Sequence, residues 1–439
     1  MANWYRRVFL LAVPLILSNL TQPLLSTVDT VLSGHLPGAA ALGGVAMGGI
    51  FFNAVFWTFG FLRMGTTGLV AQAHGAGDAA SLRLHFLRGM ASALAIGAAL
   101  LAVKGPLIAL TITLLGASPD VRQNALLYCH VRIWSAPAAL ANYAILGFLL
   151  GRQHARAALA LQAAVNVVNV AVALWLVIGL HLGVAGIAAA TASADCAGLV
   201  VGLALIWWAW PRVEVPIHWR ELADGPSLRH LFALNRDLLL RTLSLVAAYG
   251  WFTRAGAREG DAILAANAML LNLHWIATYA LDGFANATEA LVGEAVGARR
   301  VTDYRAVLRA STVLAGAVAA ALSLMFVFAG APLVGLFTNV TVVRQAALRF
   351  LPWAMALPLV SVWGYQMDGV FIGATRAQEL RDSMVVALAG FLVLAIGLER
   401  MMGNNGLWCA FCCFMLLRGG LLALRLPRVE RGMAVGPVS

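Results

Sequence analysis

Charge is what this sequence has least of. Only 11% of its 439 residues are charged, while 61% are hydrophobic. A water-soluble globular chain carries about 25% charged residues. This chain cannot cover its surface with polar groups, which excludes a water-soluble enzyme of one or two domains. Lysine is nearly absent. Lys104 is the only one, so the net charge of +11 rests on arginine. On a membrane chain that excess sets orientation; it predicts no nucleic-acid partner, and the partner it does predict is membrane lipid. Cysteine is scarce too. Cys129, Cys196, Cys409, Cys412 and Cys413 all lie in apolar runs, and the C-x-x-C-C trio of the last span has no histidine or carboxylate beside it. A metal centre needs more ligands than that, so buried, inert thiols and no metal are expected. The G-x-x-x-x-G-K-[ST] phosphate cradle, the H-E-x-x-H zinc helix and the G-x-S-x-G elbow are missing. Their absence excludes an ATP-driven engine and leaves no constellation for an enzyme or a bound cofactor. The first apolar run has full span length, carries an aspartate and lacks a small-residue cleavage site, so no cleaved signal peptide is expected.

What is there is a series of apolar runs, each long enough to cross a bilayer, which takes ~20 residues. They fall at 8–34, 40–71, 86–115, 121–151, 155–180, 184–210, 231–256, 261–296, 304–338, 342–373, 379–399 and 404–425. The one long polar stretch, 211–230, divides them evenly. The prediction is an all-α polytopic membrane protein of twelve transmembrane helices. It has an amino-terminal six-helix lobe over 1–210, a cytoplasmic linker over 211–230 and a carboxy-terminal six-helix lobe over 231–439. Arginines gather in alternate connections, among them Arg83 and Arg88, Arg152 and Arg156, and Arg299 and Arg300. By the positive-inside rule both termini are then cytoplasmic. Arg418 counts with the cytoplasmic set, leaving Arg63, Lys104, Arg132 and Arg241 as the in-span cations.

The two halves are similar at an offset of 222 residues. Thr66, Leu69, Val70, Ala73, Gly75 and Ala76 fall on Thr288, Leu291, Val292, Ala295, Gly297 and Ala298. Gly147 and Gly151 fall on Gly369 and Gly373. Six spans per half bring both halves into the membrane in the same sense. This is a parallel repeat, with lobes related by an axis along the membrane normal.

Ionisable groups near a bilayer centre cost about 2.5–3.5 kcal/mol each, so they seldom face lipid. In the first span Asn19, Gln22, Ser26, Asp29 and Ser33 recur at helical spacing and predict one polar face. Pro14 and Pro23 interrupt the same helix, and each removes a backbone hydrogen bond. A polar stripe, a carboxylate and a hinge suit an ion-coupled gate; an aspartate paired permanently inside the bundle is the plainer alternative. The fifth span aligns Gln162, Asn166 and Asn169, and the sixth sets Thr191 one turn from Asp195. These amides fit either a site or ordinary helix–helix hydrogen bonding. In the second half His274, Thr278, Asp282 and Glu289 share a face, as do Ser361, Tyr365 and Asp368. Arg241 is expected to pair with Asp282 or Asp368, or with Asp237 four residues before it. His274 reads as a packed histidine.

Several stretches carry a family resemblance: ALNRDLLLRTLSL at 233–245, AANAMLLNLHWIATYALDGFANATEALVGEAVG at 265–297, DGVFIGATRAQELRDSM at 368–384 and WLVIGLHLGVAGIAAAT at 175–191. With the pattern from Pro14 to Asp29, they make the chain resemble the multidrug and toxic compound extrusion (MATE) transporters, and within them the DinF subfamily. The resemblance implies twelve helices in two lobes. It also implies export of lipophilic, often cationic compounds against a proton or sodium gradient. It places the coupling site at Asp29, with Asn169 and Thr191 beside it; the polar faces of the first and fifth spans add Asn19, Gln22, Ser26 and Asn166 as its lining. Arg241, Asp282, Glu289 and Asp368 are the second-lobe candidates. Fuller sites in the family carry an aspartate where this chain has Ala173, which favours a proton over sodium.

The expectation is a secondary active exporter of the cytoplasmic (inner) membrane, monomeric, working by alternating access. Its coupling ion is the proton, and its partners are lipophilic cationic small molecules. The rival reading is a flippase for a lipid-linked oligosaccharide or another amphiphile, which would need a larger cationic cavity.

Overall fold

The computed structural model describes residues 3–116, 118–211 and 219–434, apart from the side chains of Gln22, Leu24, Leu25, Trp219, Arg220 and Ala434. Within these residues all regular structure is helical. The chain forms two compact units. The amino-terminal unit holds Leu17–Ala73 and Asp78–Leu228. The carboxy-terminal unit holds Met1–Ile16, His74–Gly77 and Arg229–Ser439.

The amino-terminal unit begins in α1, Trp4–Leu20, which continues into α2, Gln22–Gly34. The expected single span is thus broken at Thr21. Pro23 lies at the second position of α2 and has no N–H to offer the preceding turn, so the ladder lapses just before it. Pro14 sits inside a continuous α1. After α3 (Ala39–Thr58) and α4 (Phe61–Gly75) come α5 (Ala79–Ala102) and α6 (Lys104–Leu115). Then α7 (Pro119–Arg132) passes through a 3₁₀ turn, Ile133–Ser135, into α8 (Ala136–Gly151). α9 is Ala155–Leu174, closed by a π-helical turn at Trp175–Gly179, and α10 is Gly183–Ala209. The stretch expected as a linker is largely helical where described, with α11 at Trp219–Leu222 and α12 beginning at Gly225. Residues 212–218 of it lie outside the described set. The buried side chain of Arg83 donates to the Pro211 carbonyl, and that of Arg88 to the Glu221 carbonyl, each at 2.5 Å. Both arginines thus anchor this connection.

The carboxy-terminal unit is built on longer helices: α12 (Gly225–Arg258), α13 (Asp261–Gly297), α14 (Val301–Phe337), α15 (Thr341–Gly373), α16 (Ala377–Met402) and α17 (Asn404–Ala423). The short α18 (Leu426–Ala434) follows them. Residues 1–16 belong here for a steric and an electrostatic reason. A Cβ on Gly283 would fall 2.8 Å from the Ile16 backbone nitrogen, and Arg7 pairs with Glu294 at 2.6 Å. Each of the twelve expected runs is helical among the described residues. Ten are apolar and long enough to cross a membrane by length and composition. The remaining two are the interrupted α1–α2 segment and the more polar α12. Apolar side chains such as Trp207, Phe328 and Leu336 are more than three-quarters exposed, a surface suited to lipid rather than water.

The repeat seen in the sequence is reproduced in the backbone at the same offset. After α8 the amides of Gln153 and His154 donate to the carbonyls of Leu150 and Leu149. After α15 Thr375 and Arg376 donate to Ile372 and Phe371. Gln153 and Thr375 share a left-handed φ, of 61° and 55°. The loops after α4 and α13 correspond likewise, with Gly77 at φ 70° matching Arg299 at 55°. The paired glycines bring helix backbones together. A Cβ on Gly147 would meet the Arg63 carbonyl at 2.7 Å and one on Gly151 the Thr67 carbonyl at 2.9 Å. The equivalent Gly369 and Gly373 meet the carbonyls of Ala285 and Glu289.

Candidate functional site

Asp29 lies on α2, two turns past the break at Thr21, and is buried at 7% exposure. Its Oδ2 accepts from the Tyr128 hydroxyl at 3.2 Å and from Thr191 Oγ1 at 3.4 Å. Its Oδ1 has no hydrogen-bond partner among the described residues. A buried carboxylate with one oxygen bonded and one bare is costly when charged and relieved by a proton.

The amides on α9 divide their work. Asn169, fully buried, donates to Thr191 Oγ1 at 3.1 Å and so orients the hydroxyl that reaches Asp29. Asn166 donates at 3.2 Å to the Thr21 carbonyl, at the break in the first span. It braces the break rather than the carboxylate. Ala173, the next position on that face, is wholly buried. Asp29, Asn169 and Thr191 are therefore brought together as expected.

The polar stripe of the first span is not one buried face. Ser26 is exposed, and its hydroxyl is taken up by the Pro23 carbonyl within its own helix at 3.0 Å, a common local use of serine. Ser33 bonds the Thr30 carbonyl. Asn19 is half-buried on α1. Gln22 is in α2, but its side chain lies outside the described residues.

Two groups join the site that spacing alone did not single out. Tyr128 supplies the phenol to Asp29, and Arg132 Nη1 donates to that phenol at 2.8 Å. Arg132 also lies over the Phe52 ring, 4.5 Å from its centroid. Beyond it, Ser135 on the 3₁₀ turn donates to Asp195 Oδ2 at 2.8 Å. The available signal was Tyr128 and Arg132 lying four apart on one helix, one turn from Ser135. The Asp195 carbonyl accepts from Asn142 at 2.9 Å.

In the carboxy-terminal unit Asp368 is buried and accepts on one oxygen from both Arg241 and Arg418. Arg241 thus takes the second of its three expected partners. Asp237 is held instead by Arg236 at 3.0 Å and Arg381 at 2.7 Å, so an Asp237–Arg241 pair does not form. Arg418, counted with the arginines of a span boundary, is instead 1% exposed inside α17. Buried arginine needs a fixed counter-charge, and Asp368 provides it. Arg418 also stacks over Tyr365 at 5.1 Å. Tyr365 bonds Thr278 at 2.9 Å, and Tyr249 bonds the fully buried His274 at 3.2 Å. His274 is a packed histidine within this network. On α13 Asp282 is half-buried one turn after Thr278, and Glu289 is buried two turns further. No cluster of three or more His, Cys, Asp or Glu suited to a metal occurs among the described residues.

Comparison with known proteins agrees with this architecture. The sequence profile of the MatE family matches residues 14–175 and 249–400, one stretch in each half. The chain is 43% identical over 413 residues to DNA damage-inducible protein F of Escherichia coli strain K12, covering 94% of this chain and 90% of that protein. It is 27% identical over 451 residues to the "Probable multidrug resistance protein NorM" of Bradyrhizobium diazoefficiens, covering 98% and 95% of the two. Among solved structures, the Vibrio cholerae MATE transporter VcmN matches with a TM-score of 0.87 at 19% identity, over 98% of this chain and 97% of that one. A MOP-superfamily transporter from Pyrococcus furiosus matches with 0.87 at 17%, over 99% and 98%. The structural likenesses speak to fold; the profile and the 43% identity show that the chain belongs to the MatE family of multidrug and toxic compound extrusion transporters.

Proposed function

We propose that this chain is a proton-coupled exporter of lipophilic, cationic small molecules in the cytoplasmic membrane, with both termini inside. Asp29 is its coupling acid. The observation that carries this reading is the half-satisfied, buried Asp29 carboxylate, held by Tyr128 and Thr191 on one oxygen and bare on the other. In the cycle, substrate binds while Asp29 is charged. A proton from outside neutralises it, the first span bends at the Thr21 break, and substrate leaves. Reorientation then releases the proton inward. One proton exchanged for one monovalent cation moves no net charge, so the pH difference is the drive: one unit supplies about 1.4 kcal/mol, a tenfold substrate gradient per proton.

A proton suits the site better than sodium. Sodium favours several oxygen ligands, and Ala173 offers none where a further carboxylate would stand. The flippase reading gains nothing, because Arg241 and Arg418 are engaged with Asp368, Arg132 with Tyr128 and Lys104 with the Trp134 ring. The names of the extrusion and multidrug resistance relatives support export. The test is transport by purified protein in proteoliposomes under imposed proton or sodium gradients, with cationic dyes and anionic amphiphiles as substrates. Dye export driven by a pH gradient without sodium supports the proposal; export only with sodium contradicts it.

A further inference from the structure

Arg132 holds a guanidinium inside the amino-terminal unit without a carboxylate of its own. Among the described residues it makes no salt bridge. It bonds the Tyr128 hydroxyl at 2.8 Å and packs over the rings of Phe52, Tyr128 and Phe56 at 4.5, 5.7 and 5.9 Å. Its Nε has no partner. Two acids share its field: Asp29, reached through the Tyr128 hydroxyl, and Asp195, held by Ser135 one turn away along the chain.

Charge balance ties each acid to a cation. With both acids ionised, Asp29, Asp195 and Arg132 sum to one negative charge, which Arg63, entering from the Asp195 side, offsets. Burial favours the neutral sum, because an uncompensated charge at low dielectric is costly. Asp195 Oδ2 takes a short hydroxyl bond, whereas Asp29 keeps one bare oxygen. Asp29 therefore has the oxygen open to a proton. Tyr128 carries the influence of Arg132 to that carboxylate. A phenol that accepts from a cation donates more strongly, so Arg132 stabilises the ionised acid without touching it.

We infer that Arg132 is the counter-charge against which Asp29 gains and loses its proton, acting through the Tyr128 hydroxyl, with Asp195 retaining the guanidinium when Asp29 is neutral. Arg132 is a positioning residue: through Tyr128 it supports the ionised form of Asp29 and so lets the proton leave. Without it Asp29 would hold its proton too tightly to turn over. The groups that bear on Asp29 are few. From α7 come Tyr128 and Arg132; from α10, Thr191 and Asp195; from α9, only the neutral amides. α3 presents no ionisable residue. Arg63 on α4 and Tyr143 on α8 enter from the Asp195 side of the cluster. The inference rests on the proton reading of Asp29 above.

The test is an infrared titration of the purified protein in lipid nanodiscs. The protonated-carboxyl band of Asp29 is identified by its loss in Asp29→Asn. In Arg132→Gln the midpoint of that band should move to higher pH by about one unit or more, a tenfold tighter proton. Arg132→Lys keeps the charge and should restore most of the wild-type midpoint. Tyr128→Phe removes only the bridge and should shift it in the same direction by less, which keeps the test available if Arg132→Gln does not fold. A structural role for Arg132 would lower stability and leave the midpoint in place. A titrating Asp29 with an unshifted midpoint in Arg132→Gln or Tyr128→Phe overturns this inference alone. Absence of any titrating Asp29 band in the wild type removes the proton reading, and this inference with it.

Discussion

Asp368 and Arg418 face each other from α15 and α17, 50 residues apart in sequence, and form an ion pair closed to solvent. Arg241 donates to the same carboxylate oxygen from α12. Three helices of the carboxy-terminal unit are thus joined at one buried charge. Breaking such a group by removing one partner costs about 3–5 kcal/mol, since it strands the others. Asp368→Asn leaves two guanidinium groups without a carboxylate and should lower thermal stability sharply in detergent. Arg418→Met leaves Asp368 paired with Arg241 and keeps most of the packed stem, so its loss should be distinctly smaller. Equal losses for the two variants in thermal unfolding would show that the charges are not what matters there.

The glycine pairs at the repeat's helix crossings predict matched steric effects. Gly147→Ala and Gly369→Ala each place a methyl against a carbonyl oxygen of the facing helix. Each should cost about 1–3 kcal/mol, the usual range for overpacking. Gly420 has open space at its Cβ position, so Gly420→Ala should leave the melting temperature unchanged or raise it. A drop there equal to that at Gly147 would sink the crossing argument.

Acid should remove one helix cap. Asp78 accepts from the Ser81 hydroxyl at 2.6 Å and from the Ser81 amide at 2.9 Å. These bonds, the hydroxyl first, hold its carboxyl below the usual carboxylate range. A depressed folded value means the cap is at full strength above the unfolded value near ~3.9 and fades as pH falls through the lower folded one. Asp78→Ala should cost about 1 kcal/mol at neutral pH, the exposed site limiting it to that order. The gap from wild type should close in strong acid. A gap that persists unchanged there would assign the loss to helix propensity instead.

Ion choice can be altered at one position. Ala173 is wholly buried on the α9 face that carries Asn166 and Asn169. Ala173→Asp adds a carboxylate there and should introduce a sodium response in transport, at some cost in stability from the added buried acid. Transport of the variant that stays indifferent to sodium would separate this position from the ion path.

Much of this was legible in the sequence. Span length and apolar content located the helices, and the offset between Gly147 and Gly369 revealed a duplication that the backbone repeats loop for loop. Asp29, Asn169 and Thr191 were identified and do meet. What escaped has physical causes. Helical periodicity assumes an unbroken helix, so the stripe from Asn19 to Ser33 missed the break at Thr21 and the local bond that removes Ser26. Arg418 precedes two glycines near a span end and looks like a boundary residue; only the carboxylate on another helix explains its burial. Tyr128 and Arg132 sit on a helix of mixed polarity, where sequence spacing does not say which face meets α2.

The most direct test of the account is proton flux through Asp29→Asn. Asparagine keeps the shape and hydrogen bonding of the neutral acid but cannot change charge, and removing a buried charge lowers the insertion cost. The variant should fold, insert and still bind dye. In proteoliposomes with an imposed pH gradient, its dye-dependent proton flux and dye export should both fall to background. Full coupled transport by folded Asp29→Asn would contradict the account, because the proton would then have to bind elsewhere.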